Sequence, residues 1–330
     1  MNLRLHGDTL VASGVLDFAV NVWPGPRSPA LEQALVHALD SKQYPSEFEA
    51  REALAARHGR AVEEVLPLNG ACEAFWLLAH AVRPARAACI HPSFIEAEAA
   101  LRAVGADVSH VFRQPDDWAL DPDQVPEQAT FVVLGNPNNP TGSLDSRSAV
   151  RALLRPERLV VVDESFMDFV GDDASLASAS LPGLVVLRSL TKLWSLAGVR
   201  AGYLLGPAEL VALLSNNRQP WSVNALACAA LAYCANDTET PDRVRTRVST
   251  ERIHLATGLK SLGVAVWPAA ANFLLVRTTD GEQLRRKLLD LGIAVRPGAS
   301  FPGLDSDYLR VAVRERADND RLLAALAEAR

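Results

Sequence analysis

The sequence predicts an α/β protein with a large domain, built on a mostly parallel, helix-covered sheet, and a small α+β domain. Between residues 31 and 206, short apolar runs alternate with helical patterns, which is typical of a parallel sheet covered by helices. From about residue 207 the pattern changes to long helices and then to short apolar runs between two helical segments. The 330 residues, 49% of them hydrophobic, can bury about two such cores.

The elements of the large domain follow one another in a regular order. The predicted helices are "SPALEQALVHAL", "ACEAFWLLAHAV" and "FIEAEAALRAVG". The predicted strands are "AACIHP", "ADVSHVF", "TFVVLGNP", "RLVVVDES", "LVVLRSL" and "AGYLLG". The strands are short, apolar and rich in β-branched residues, as buried strands are.

The chain ends indicate the second domain. A polar helical stretch over residues 236–263 leads to "VAVWPAAANFLLVRT", "GIAVRPG" and "YLRVAVR", the predicted strands of the small domain. The first 30 residues contain "VNVWPGPRSP", and their prolines favour an arm across the surface over a strand of a sheet core. We therefore predict a large domain over residues 31–240, and an arm plus small domain over residues 1–30 and 241–330.

Composition excludes several classes of partner. The net charge of −6 offers no basic surface for nucleic acid, and no apolar run reaches the roughly 18 residues that span a bilayer. The start of the chain carries Arg4 and Asp8 and lacks the pattern of a signal peptide. The four cysteines form no CxxC pair, so we predict neither a zinc ribbon nor a disulfide framework, no metal site, and a reducing cytoplasmic location.

Lys192 is placed unusually for a lysine. It lies in "SLTKLWSLAGVRAGYLLG" between two predicted strands, at the strand end where open α/β sheets bind ligands. Lysines are usually solvated surface residues, so this position alone is weak evidence. Whether Lys192 belongs to a binding site depends on which residues follow the other predicted strands.

Two further side chains follow predicted strands. Asp163 ends "RLVVVD", where a carboxylate needs a cation or a hydrogen-bond donor, although it could also cap the next helix. Phe94 follows a Pro-Ser turn and could lie against an aromatic ligand, although a core position is the commoner role of phenylalanine.

Two loops complete the set. Asn69 and Gly70 interrupt the chain before a helix that begins at about Ala71, so backbone N–H groups there could bind an anion or simply belong to a capped helix. The second loop, "LGNPNNPTGSL", has two Asn-Pro steps that fix extended turns and leave amide side chains available to a ligand.

Pyridoxal phosphate satisfies all of these features together. Its phosphate suits the helix start and Arg200, its ring nitrogen suits Asp163, its ring face suits Phe94, and its aldehyde suits Lys192. A buried carboxylate keeps the ring nitrogen protonated, and an apolar, cation-rich site lowers the pKa of a lysine.

Over nearly its whole length the chain resembles the fold-type I pyridoxal-phosphate enzymes, in the class that contains histidinol-phosphate aminotransferase. The resemblance is carried by the motif S-x-[ST]-K-x-x-x-x-x-G-x-R-x-G, which matches Ser189, Thr191, Lys192, Gly198, Arg200 and Gly202. It implies that Lys192 bonds to the cofactor and that Ser189, Thr191 and Arg200 bind its phosphate.

The resemblance implies further site residues. Asn139 would donate to the phenolic oxygen of the cofactor, Ala71 and Cys72 would form the backbone phosphate cup, and Phe94 would stack on the ring. Tyr44, in "KQYPSEFEAREAL", matches a tyrosine that reaches the phosphate of the neighbouring subunit, which implies a homodimer.

Near the C-terminus "YLRVAV" matches the motif whose arginine binds the substrate α-carboxylate, so Arg310 would take that role. A substrate phosphate would need further cations. Arg296, His6 and Arg4 are the candidates, and each could equally be a surface cation.

One departure bears on the reaction. Where the common motif is D-E-A-Y, this chain has "DESF", and Phe166 cannot donate a hydrogen bond. This resembles the threonine-phosphate decarboxylase-like branch of cobalamin biosynthesis, as do "QPWSVNALA" and "LHG", although Asp8 and Trp23 depart from that branch.

The sequence thus predicts a pyridoxal-phosphate enzyme acting on a small phosphorylated amino acid. Our first expectation is decarboxylation of threonine O-phosphate. The alternatives are an aminotransferase such as one for histidinol phosphate, and a catalytically silent relative that only binds cofactor or partners. Retention of Lys192, Asp163, Arg200 and Arg310 argues against the silent relative.

Overall fold

The computed structural model of the chain describes residues 14–40 and 42–329. Its strands form one sheet of seven strands and one of five. The strands are β1 Leu16–Phe18, β2 Val65–Asn69, β3 Arg86–His91, β4 Asp107–Phe112, β5 Phe131–Gly135, β6 Leu159–Asp163, β7 Leu184–Ser189, β8 Ala201–Leu205, β9 Ala265–Val266, β10 Phe273–Arg277, β11 Ile293–Pro297 and β12 Tyr308–Ala312. The helices are α1 Pro29–Leu39, α2 Phe48–His58, α3 Cys72–Val82, α4 Glu96–Ala103, α5 Arg147–Arg151, α6 Ala208–Asn216, α7 Ala225–Asn236, α8 Glu239–Ser261, α9 Gly281–Asp290 and α10 Arg316–Ala329.

The large sheet is mostly parallel, as predicted. Its strand order is β2-β8-β7-β6-β5-β3-β4, and β8 is the strand that runs antiparallel to both of its neighbours. The register pairs Gly135 with Asp163 and Asp163 with Leu187. The carboxyl ends of β5, β6 and β7 therefore meet along one edge, where a parallel sheet of this type binds ligands.

Apolar side chains on both faces hold this sheet between layers of helices. One face packs against α3, α4 and α6 through residues such as Phe75, Leu101 and Leu214. The other packs against α2 and α7, with Leu54 and Leu231 in its core. Every residue of β7 is buried, because this central strand is covered on both faces.

The small sheet has the order β1-β11-β12-β10-β9, with β1 parallel to β11 and the other pairs antiparallel. β1 corrects the prediction for the start of the chain. Residues 16–18 form a strand of this sheet, and Phe18 and Trp23 are buried in the core. The prolines that suggested a surface arm lie after the strand, so they do not interrupt its pairing.

The long helix α8 follows α7 and leads into β9. Its buried positions, which include Val248, Leu255 and Leu259, belong to the core that also contains residues of the small sheet. Within the described ranges, no helix is long and apolar enough to cross a membrane. The domain boundaries near residues 30 and 240 stay predictions.

Candidate active site

A cavity of about 850 Å³ lies at the carboxyl edge of the large sheet, between that sheet and the small one. It brings together most of the side chains that the sequence predicts. The predicted residues that line it are Ala71, Cys72, Phe94, Asn139, Asp163, Ser189, Thr191, Lys192, Arg200, Arg296 and Arg310.

Lys192 lies in the turn that follows β7. Its backbone carbonyl accepts a hydrogen bond from the Trp23 N–H at 2.9 Å, which ties this turn to the segment after β1. Burial, together with the positive charges of Arg200 and Arg310, lowers the pKa of the Lys192 amine to about 8. A neutral amine is therefore accessible near neutral pH, as a nucleophile or a proton acceptor requires.

Asp163 is the last residue of β6 and faces the same cavity. Its Oδ1 accepts hydrogen bonds from the Ser165 N–H at 3.0 Å and the Ser165 hydroxyl at 2.5 Å. No residue in the described part of the chain donates to Oδ2. Burial raises the pKa of this carboxyl, and the Ser165 hydrogen bonds and the Lys192 charge oppose the rise. A cationic group in the cavity would stabilise the ionised form.

A pocket for an anion forms where α3 begins. Ala71 and Cys72 open this helix, so their N–H groups belong to its first turn. Ser189 and Thr191 are buried beside it, with their hydroxyl oxygens 2.7 Å apart. Burial raises the pKa of the Cys72 thiol to about 12, so it stays neutral.

Gly70 leaves room for the cation of this pocket. Its φ of +79° is in the region that favours glycine, and a Cβ at this position would collide with Nη2 of Arg200. Arg200 itself has a φ of 61° and donates to the Ala197 carbonyl at 3.0 Å. The backbone around residues 70 and 200 is therefore shaped to bring a guanidinium to the start of α3.

Two buried arginines lie on the opposite wall. Arg296 of β11 and Arg310 of β12 face each other in register. Arg310 donates to Oδ1 of Asn139 at 2.6 Å and to the Ala19 carbonyl, and Arg296 donates to Ser300 Oγ at 3.0 Å. Burial and the neighbouring Arg296 lower the pKa of Arg310, so an anion bound here would relieve an electrostatic cost.

Aromatic residues form the apolar part of the cavity. Phe94 lines one side, with its ring 6.4 Å from that of Phe75. Phe166 lines the cavity too and meets Phe273 edge to face at 4.9 Å, and it supplies no donor where the common motif has a tyrosine.

Among the lining residues that the sequence did not single out, three have polar or aromatic side chains that bear on ligand binding: Asn21, Phe301 and Trp76. Asn21 lies in the buried segment after β1, and neither polar atom of its side chain has a hydrogen-bond partner among the described residues. Phe301 lies beneath both arginines, 5.3 Å from the guanidinium carbon of Arg296 and 5.7 Å from that of Arg310. Trp76 donates to Glu96 at 3.1 Å. The "VNVWPG" pattern could have indicated Asn21, whereas Phe301 and Trp76 carry no local signal.

One predicted residue does not line this cavity, and another lies outside the described residues. Tyr44 lies on the surface with 76% of its area exposed, stacked on Trp221 at a centroid distance of 4.5 Å. His6, like Arg4, lies outside the described residues.

A buried charge network lies behind Lys192. Arg188 of β7 donates to Asp168, and the Trp194 indole donates to the same carboxylate at 3.2 Å. Glu164 and Asp172 also lie within 4 Å of the Arg188 guanidinium. This network links the turn of Lys192 to the segment after Asp163, so it fixes the two strand ends relative to each other.

The residues present fit pyridoxal phosphate. The start of α3, two buried hydroxyls and Arg200 form a phosphate site, and the space beside Gly70 is kept clear for that arginine. Oδ2 of Asp163 accepts no hydrogen bond from the described chain and would accept one from a protonated ring nitrogen. Lys192 supplies an amine of lowered pKa in the same cavity.

The fold and this site define a pyridoxal-phosphate-dependent enzyme of fold type I. The profile of the family "Aminotransferase class I and II" matches residues 13–326, and the chain belongs to that family.

The chain is similar to relatives that are named for each of the two reactions, transamination and decarboxylation. A histidinol-phosphate aminotransferase of Mycobacterium tuberculosis is 45% identical over 334 residues, covering 98% of this chain and 90% of the relative. A threonine-phosphate decarboxylase of Salmonella typhimurium is 35% identical over 329 residues, covering 94% and 90%. The crystal structure of a histidinol-phosphate aminotransferase from Sinorhizobium meliloti, in complex with pyridoxal-5'-phosphate, has the same fold, with a TM-score of 0.89, 22% identity and coverage of 98% and 94%.

Proposed function

We propose that this chain is an aminotransferase that acts on a small phosphorylated amino compound, with histidinol phosphate as the first candidate. The 45% identity to histidinol-phosphate aminotransferases, over nearly the whole chain, carries the proposal. It supports the alternative from the sequence better than our first expectation, decarboxylation of threonine O-phosphate, which rests on a relative at 35%.

The cofactor supplies an aldehyde for amines and a ring that withdraws electrons from the bonds of the substrate α-carbon. Ser189, Thr191, Arg200 and the start of α3 would hold its phosphate, and Asp163 its ring nitrogen. Lys192 would take and return the proton at the α-carbon, because its amine has a pKa near 8 and lies in the same cavity.

The paired arginines support recognition of an anionic substrate. Arg310 is held by Asn139 and the Ala19 carbonyl, so its guanidinium can orient an anion with little loss of side-chain entropy. That anion would be the phosphate of histidinol phosphate, which has no carboxylate, or the α-carboxylate of the amino acid or 2-oxo acid that shares the site. Arg296 lies on the neighbouring strand and would bind the same phosphate, or the distal carboxylate of a dicarboxylic 2-oxo acid.

A product assay tests the choice of reaction. We expect the purified, cofactor-loaded enzyme to convert histidinol phosphate only when a 2-oxo acid is present, with one amino acid formed from the 2-oxo acid for each substrate consumed. Carbon dioxide release from threonine O-phosphate without any 2-oxo acid, and no turnover of histidinol phosphate, would contradict the proposal.

Threonine O-phosphate decarboxylation is the second candidate, and Phe166 favours it. This ring replaces the tyrosine of the common aminotransferase motif, and its contact with Phe273 leaves an apolar wall at that side of the cavity.

We further propose that the enzyme is a homodimer in which Tyr44 completes the phosphate site of the partner. Tyr44 and Trp221 form an exposed stacked pair, and Leu39 and Phe48 nearby in the chain are also exposed. Exposed apolar side chains grouped in this way mark an interaction surface.

Mixed dimers test the role of Tyr44. We expect Tyr44→Phe to lower activity by about tenfold, because one charge-assisted hydrogen bond to the phosphate is lost. A heterodimer of Tyr44→Phe with Lys192→Ala subunits, isolated with two affinity tags, should contain one complete site and be more active than either parent. Tyr233→Phe is the control, since this hydroxyl bonds to Ser28 of its own chain. A fully active monomer, or a heterodimer no better than its parents, would contradict the proposal.

A further inference from the structure

Three potential metal ligands converge outside the active-site cavity. His91 ends β3, Glu98 lies in α4, and His110 lies in β4, and one ligand atom from each is within 4.8 Å of the others. We call them the His–Glu–His cluster. None of the three lines the cavity described above.

The sheet brings the two histidines onto one face. β3 and β4 are parallel, and the register pairs Cys89 with His110. Since side chains two residues apart on a strand share a face, His91 lies diagonally beside His110, with ring centroids 4.6 Å apart. Glu98 reaches this face from α4, so three separate elements supply the cluster.

Two buried atoms of the cluster lack hydrogen bonds among the described residues. Nε2 of His91 and Oε2 of Glu98 are 3.2 Å apart, but neither makes a hydrogen bond of acceptable direction. Two ligands in a tetrahedral shell with bonds of about 2.0 Å lie ~3.3 Å apart, so this separation suits a shared metal ion.

The surroundings resemble those of metal-bound histidines. The other ring nitrogen of His91, Nδ1, lies 3.1 Å from the Ser93 hydroxyl, whose oxygen can accept a hydrogen bond from Nδ1–H and so favour the tautomer that leaves the Nε2 lone pair available. The His110 side chain is 30% exposed, which gives an ion and a water ligand access from solvent.

Arg102 lies where it would compete with a metal ion for the Glu98 carboxylate. Its Nε donates to Oε1 of Glu98 at 2.7 Å, and His110 Nε2 lies 2.8 Å from the same oxygen. The Arg102 side chain is 45% exposed, so it can turn toward solvent when an ion neutralises the carboxylate.

We propose that the His–Glu–His cluster binds one divalent transition-metal ion of the Zn²⁺ type, with water as the fourth ligand. Two imidazoles and one carboxylate are a donor set that Zn²⁺ accepts in four-coordinate sites. The ion would join β3, β4 and α4 beside the segment that carries Phe94, and its role there is structural. The spacing of its ligands across three elements gives no motif, which is why the sequence predicted no metal site.

Metal titration of the cofactor-loaded enzyme tests the proposal. After treatment with a chelator, we expect equilibrium dialysis to show one Zn²⁺ per chain, and Co²⁺ to give visible absorption bands of a four-coordinate site. His110→Ala should weaken binding at least tenfold, whereas the exposed His80→Ala should leave it unchanged. His110 lies on the edge strand, so the variant is expected to fold, and circular dichroism checks this.

Arg102→Gln separates a metal site from a purely structural network. If an ion displaces the arginine, removal of this competing charge should tighten Zn²⁺ binding several-fold. Weaker binding in Arg102→Gln, or binding by the wild type no stronger than that of His110→Ala, would overturn the proposal.

Discussion

Replacing Lys192 with alanine is expected to lower turnover by about four orders of magnitude or more, because we propose that this residue supplies both the covalent attachment of the cofactor and the proton transfer. The fold should persist, since no described residue accepts a hydrogen bond from its amine, and circular dichroism will show this. The product assay described above measures the loss. Substantial residual turnover in Lys192→Ala would remove this residue from the mechanism.

A pH experiment on the cofactor-free enzyme tests the lowered pKa of the Lys192 amine. The neutral amine reacts with amine-selective reagents, so with a pKa of about 8 the labelling of Lys192 should rise roughly tenfold between pH 7 and 9 and then level off. A lysine of ordinary pKa would rise by roughly a hundredfold over the same range and continue to rise. Mass spectrometry separates Lys192 from the other lysines, Lys42, Lys260 and Lys287. A labelling rate that keeps rising steeply above pH 9 would contradict the lowered pKa.

Asp163→Asn should leave the cofactor bound and lower turnover by on the order of a hundredfold or more. The amide cannot supply the negative charge that, in the proposed mechanism, would keep the ring nitrogen of the cofactor protonated and the ring able to withdraw electrons. The cofactor content, measured by its absorption, should therefore stay the same while turnover falls.

Ser165→Ala provides a graded comparison for Asp163. It removes the hydroxyl donor to Oδ1 and keeps the backbone N–H, so the carboxylate remains but is less well held. We expect a smaller loss of turnover than with Asp163→Asn. Near-normal turnover in Asp163→Asn would mean that another group supplies the charge.

Local sequence predicted the strands and the residues at their ends. β6 and β7 begin with continuous apolar runs over residues 159–162 and 184–187, and Asp163 and Lys192 stand out because polar groups rarely follow such runs without a partner. The roles of Asn139, Cys72 and Arg310 came from the family motifs, because nothing in their local pattern separates them from loop or strand residues.

The residues that the sequence missed depend on long-range packing. Phe301 lies under Arg296 and Arg310 only because β11 and β12 pair in one register. The His–Glu–His cluster likewise exists only once β3, β4 and α4 have packed. The prolines near residue 25 misled the prediction for the arm, because three residues before them were enough to add a strand to the small sheet.

The pairing of β1 with β11 has a consequence for synthesis of the chain. The strands of the large sheet have all been translated once residue 205 is complete, whereas β1 meets its partner only after residues 293–295 have emerged from the ribosome. During this interval β1 lacks the strand beside which it pairs in the folded chain. A chain truncated before β11 would therefore lack the partner strand of β1, so residues 16–18 could not join the small sheet.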